Sequence, residues 1–101
     1  MYNEIDFSKV IAVSNRHLTR LPYLDQVERI CSFQPRAFLL REKDLPVKDY
    51  LNLSLAVKKI CDRSPIPIYA IGGIRLDPEQ IQTVLKHGAS GVCIMSQMMG
   101  M

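Results

Sequence analysis

Four short polar segments each follow an apolar run, and between them they hold the residues able to do chemistry. They are Ser14-Asn15-Arg16-His17, Arg41-Glu42-Lys43, Gly72-Gly73 and Ser96. Two or three cations, a glycine pair and a serine at a final short turn suit an anion, phosphate above all. Arg41 carries a planar fork that grips two phosphate oxygens at once, whereas Lys43 is a mobile point charge. The glycine pair lets backbone N–H groups come close to a ligand. Glu42, between the cations, either points away or holds Arg41 in place. Each piece also has a plainer reading: a charged cluster after a strand is what a solvated loop shows, and glycine often only makes a turn. Their convergence is what argues for a site. There is no P-loop, G-x-S-x-G elbow, H-E-x-x-H or dinucleotide fingerprint.

Other chemically capable residues read as structural. Cys31, Cys61 and Cys93 are odd in number, far apart and without a C-x-x-C pair, which argues against a disulfide framework or a zinc site. They fit as small core residues in a reducing compartment. His87 precedes Gly88 at a helix end, where an imidazole suits the negative end of the dipole. Met95, Met98, Met99 and Met101 suit core or partner packing.

The elements that position these segments are readable from periodicity. Val10–Val13 is a short apolar, β-branched run and reads as a buried strand. From Tyr23, the residues Leu24, Val27, Ile30 and Cys31 recur at helical spacing behind Pro22. Ala37–Leu40 is a second strand. A longer helix follows Pro46 through Val47, Tyr50, Leu51, Leu53, Leu55, Ala56, Val57 and Ile60 to about Cys61. The stiff connector Arg63-Ser64-Pro65-Ile66-Pro67 delivers a third strand, Ile68–Ile71. Asp77-Pro78-Glu79 opens a third helix with Asp77 as N-cap, and Ile81, Val84 and Leu85 form its stripe until His87-Gly88. Gly91–Met95 is the fourth strand. The order is β-α-β-α-β-α-β, and strands without polar alternation predict a parallel sheet covered on both faces. In such folds ligands bind at the carboxyl ends of the strands, where all four polar segments fall.

Composition narrows the class. Of 101 residues, 48% are hydrophobic and 23% charged, the balance of one globular domain. A net charge of +3 is too small and too dispersed for a nucleic-acid surface. No apolar run approaches the ~20 residues of a membrane span, and the first residues lack signal-peptide regions, so the expected location is the cytosol. The chain is also far short of the roughly 250 residues of a complete (β/α)₈ barrel.

Three segments carry a specific resemblance: Leu39-Leu40-Arg41-Glu42-Lys43-Asp44, Pro67–Ile74, and Gly88–Ser96. They resemble thiamine phosphate synthase and its TenI relatives, TIM barrels with R-E-K after strand two, A-I-G-G-I after strand seven and G-A-x-G-V…S through strand eight. The resemblance covers nearly the whole chain. It implies that Arg41 and Lys43 hold the diphosphate of a hydroxymethylpyrimidine substrate, and that Gly72 and Gly73 approach the phosphate of a thiazole. Met95 and Ser96 would complete that phosphate site, with Asn15, Arg16 and His17 as further candidates. The synthases have glutamine two places before the arginine; Leu39 stands there instead, which favours the TenI-like branch, some of whose members tautomerise thiazole phosphate.

Against the family pattern, residues 1–101 form a single domain shortened near residues 62–66, lacking strands three to six. With them go the family's magnesium ligands, for which no replacement stands out, and no other cofactor is implied. The resemblance therefore predicts half of a TIM barrel. Strands seven, eight, one and two of the parent ring are consecutive neighbours, and a two-fold homodimer would close eight strands and hide both open edges. Three functions compete. One is the synthase transfer, joining hydroxymethylpyrimidine diphosphate to thiazole phosphate. The second is a non-catalytic binder of phosphorylated thiazole or pyrimidine, or a tautomerase-like protein. The third, transcriptional regulation, finds no helix-turn-helix or basic stripe.

Overall fold

A computed structural model describes residues 3–72, 77–94 and 96–100. Its strands are β1 (Ile11–Val13), β2 (Ala37–Leu40), β3 (Ile68–Ile71) and β4 (Gly91–Cys93), and its helices α1 (Tyr23–Ser32), α2 (Val47–Arg63), α3 (Pro78–Lys86) and α4 (Ser96–Met99). A 3₁₀ turn at Phe7–Lys9, not expected from the sequence, precedes β1 and stacks Phe7 on Phe33 with centroids 5.0 Å apart. The expected strand–helix alternation is present as four parallel strands with helices, a partial TIM-barrel-like arrangement. None of the described helices is long and apolar enough to cross a membrane.

The prolines and Asp77 act where expected. Pro22 and Pro46, which lack an amide hydrogen, stand just before α1 and α2, and their carbonyls accept from Gln26 and Tyr50. The Asp77 carboxylate accepts from the Glu79 N–H at 3.1 Å and caps α3. His87 closes that helix through Nδ1, 2.7 Å from the Thr83 carbonyl oxygen. At the start of β4, Gly91 makes room for the Tyr69 ring: a β-carbon there would lie 2.7 Å from Tyr69 Cε1, and the ring would have to shift.

Two expectations are corrected. The sheet order is β1-β2-β3-β4, whereas the parent ring's neighbours would place β4 beside β1. The cause is local. The Pro65–Pro67 connector returns directly from α2, and the Pro67 carbonyl accepts from the Phe38 N–H at 2.9 Å, which seats β3 beside β2 as a right-handed crossover would. Second, the described residues cover the sheet with helices on one face only. Ala12, Phe38, Leu40, Ile68, Ala70 and Val92 point to the helices, where Val27 and Cys31 of α1, Val57, Ile60 and Cys61 of α2, and Val84 of α3 build the core. The opposite row, Ile11, Val13, Leu39, Tyr69, Ile71 and Cys93, has no helix over it among the described residues; Ile11 and Val13 are 52% and 57% exposed and the other four are half-buried. Val47, read as part of the α2 stripe, is likewise exposed on the first turn.

Candidate anion-binding site

The carboxyl ends of β2 and β3 meet as the sequence predicts. Gly72 follows β3 with φ 101°, a conformation that favours glycine. A β-carbon there would sit 3.6 Å from Lys43 Cγ and 3.9 Å from Arg41 Cγ, so the turn lies against the stems of both cations. Arg41 is half-buried and Lys43 exposed, and neither side chain has a hydrogen-bond or ion-pair partner among the described residues. Two cations and a glycine turn thus share one corner, with their charges unspent. Beside it opens a concavity of about 370 Å³ between α2 and α3, lined by Lys43, Gly72, Tyr50, Leu51 and Val84 among others. Gly73 and Met95 lie outside the described residues, and Ser96 is the first residue of α4.

What aims the two cations outward is Glu42. Its carboxylate is buried and accepts from the Ser14 hydroxyl, from the Arg16 N–H at 3.1 Å and from Arg16 Nη1 at 3.1 Å. Ser14 Oγ in turn accepts from the Arg41 N–H at 3.2 Å. Because successive residues in an extended segment point to opposite sides, anchoring Glu42 inward sends Arg41 and Lys43 the other way.

Asn15, Arg16 and His17 are held by this same scaffold. Arg16 donates to both oxygens of Asp44, at 2.6 and 2.9 Å, and His17 Nε2 is 2.7 Å from Asp44 Oδ2. The Asn15 side-chain oxygen accepts from the His17 N–H at 3.0 Å. The Arg16 guanidinium and then His17 hold the Asp44 carboxyl well below the usual carboxylate range. These three residues stand as supports of the β2 loop. Asp44 was missed at the sequence level. Its only signal was charge alternation after β2, which does not identify a partner 28 residues away.

The carboxylates here do not fit the divalent ion that the resemblance implies. Glu42 is taken by Ser14 and Arg16, Asp44 by Arg16 and His17, and no three His, Cys, Asp or Glu side chains converge among the described residues. No step through such an ion is derived.

No curated protein matches the chain. A match to a protein-family model covers residues 56–98, from the second half of α2 through Gly72 and β4 into α4, and leaves Arg41 and Lys43 outside it. The family is thiamine monophosphate synthase (TMP-TENI), and residues 56–98, fewer than half of the chain, are similar to it.

Proposed function

We propose that this chain binds the phosphate or diphosphate of a phosphorylated thiazole or pyrimidine at the corner formed by Arg41, Lys43 and Gly72. The observation that carries the reading is the approach of Gly72 to both cations, whose side chains have no other described partner. Arg41 takes two oxygens in its fork, Lys43 adds a compact charge, and the half-buried Gly72, with no side chain, lets the anion come near the backbone. The neighbouring concavity has room for a small ring. Titration with pyrophosphate and with thiazole phosphate tests this. Arg41→Ala and Lys43→Ala should each weaken binding by about tenfold or more. Equal binding by the wild type and both variants would reject the site.

The family segment at residues 56–98 supports a second reading, the synthase transfer itself. In it, hydroxymethylpyrimidine leaves its diphosphate and joins thiazole phosphate, giving thiamine phosphate and pyrophosphate. The protein's part would be to hold both anions and align the two rings. Incubation with both substrates and magnesium decides between the readings. Thiamine phosphate among the products supports turnover; its absence at high protein loading, with binding intact, leaves the binder.

A further inference from the structure

We propose that the open face and both free edges of the sheet are covered by a second copy of this chain, β4 of each copy pairing in parallel with β1 of the other to close an eight-stranded barrel. The first observation is the naked face. Parallel sheets are covered on both sides, yet Ile11, Val13, Leu39, Tyr69, Ile71 and Cys93 form an apolar row with no element over it among the described residues, exposed at Ile11 and Val13 and half-buried at the other four. The second is area. The chain exposes 7033 Å² at 11.5 kDa, where a compact monomer of that mass exposes about 5800 Å². The surplus, about 1200 Å², exceeds the ~800 Å² per partner of a standard stable interface.

The third observation concerns the edges. Sheet order β1-β2-β3-β4 leaves β1 and β4 free and all strands pointing one way. A two-fold axis along the barrel therefore brings β4 of each copy beside β1 of the other, and the contact closes without leaving an edge. In a strand–helix alternation, the segment after a strand covers the seam with the next strand. For β4 that segment is α4, and the next strand is the partner's β1. A groove of about 450 Å³ runs beside that strand against α1, and includes Val13, Leu18, Leu21 and Ile30. Leu18 is 77% exposed, and on α4 Met98 and Met99 are 52% and 88% exposed. Flexible methionines fit such an irregular apolar groove. The same closure would gather two Arg41–Lys43–Gly72 corners at one mouth, but it does not depend on what they bind.

The experiment is the mass of the full chain in solution, by sedimentation or light scattering across the micromolar range. A two-chain mass is expected. Val13→Glu on the open face and Met99→Glu on α4 should each raise the dimer dissociation constant, Val13→Glu by about 100-fold or more because it buries two like charges. Val47→Glu, at an exposed apolar position on α2 away from both edges, should leave the mass unchanged. Far-UV circular dichroism checks that each variant keeps its helices. As a second measurement, thiol labelling of Cys93, which the closed barrel would shield, should slow as concentration rises and recover in Val13→Glu. A single-chain mass throughout, open-ended growth, or equal loss of association in Val47→Glu would overturn the proposal. Anion titration, done separately, reports on the corner whichever mass is found.

Discussion

The hydroxyl of Ser14 donates to the buried carboxylate of Glu42 while its oxygen accepts the backbone N–H of Arg41, joining the end of β1 to the loop after β2. Glu42→Ala should therefore do more than remove a charge. It leaves the Ser14 hydroxyl and the Arg16 N–H without their acceptor, takes one of the Arg16 guanidinium's two carboxylate partners and opens a void, which costs about 2–4 kcal/mol. Glu42→Gln keeps the volume and one acceptor oxygen, and should cost roughly 1–2 kcal/mol. Urea denaturation gives both values. Anion affinity should fall in both variants, because Arg41 and Lys43 lose their aim.

Gly72→Ala separates backbone conformation from space. A β-carbon would find ordinary van der Waals distances to Lys43 and Arg41, so crowding is not the difficulty. The φ of 101° is. Alanine is strained there, and the expected loss is about 1–2 kcal/mol in the denaturation midpoint. Calorimetric titration with pyrophosphate should show weaker binding still after correction for the unfolded fraction, because the methyl group stands where the anion approaches the backbone.

The clamp at Asp44 sets an acid limit. Arg16 and His17 lower this carboxyl, so the folded chain takes up the proton less readily than the unfolded one. The stabilisation is complete above the ordinary aspartate value, about 3.9, and disappears as pH falls through the lower folded value. Wild-type stability should thus decline more steeply below about pH 4 than that of Asp44→Asn, whose side chain does not titrate. Circular dichroism melts over that range, together with the carboxyl chemical shift of Asp44, measure the difference.

The elements were legible because each has a local signature. Pro22 and Pro46 open helices, Asp77 caps one, and β-branched runs make strands, all within a few residues. The meeting of Arg41, Lys43 and Gly72 followed from a general rule of parallel sheets, that loops at the carboxyl ends share one side. What could not be read depends on partners distant in the chain. Nothing near Glu42 announces that Ser14, 28 residues earlier, will bury it. Nor does an apolar β1 reveal whether its second face will be met by this chain. Strand neighbours were misjudged for the same reason: the pairing of β3 with β2 is settled by where the Pro65–Pro67 connector lands, and the parent ring's order has no hold on it.

Tyr23 and Tyr50 offer a paired test of buried polar satisfaction. Burial is the main cause that pushes both phenols up to about 12, so both should resist ionisation in an absorbance titration well past the ordinary value. Their hydrogen bonding differs. The Tyr50 hydroxyl donates to the Leu40 carbonyl oxygen at 2.6 Å, tying α2 to the end of β2 just before Arg41. The Tyr23 hydroxyl is buried with no formed hydrogen bond among the described residues. Removing the first should cost about 1 kcal/mol, because the Leu40 carbonyl is left unpaired. Removing the second takes away a desolvated hydroxyl that lies near Ser14 without a formed hydrogen bond, so Tyr23→Phe should be neutral or stabilising by up to about 1 kcal/mol. Urea midpoints for the two Tyr→Phe variants at one chain concentration give the comparison. Equal losses would mean that the Tyr23 hydroxyl does have a partner in solution. The groove beside β1 includes Tyr23 in its lining, so repeating the comparison in the Val13→Glu background would then tell whether that partner comes from a second copy.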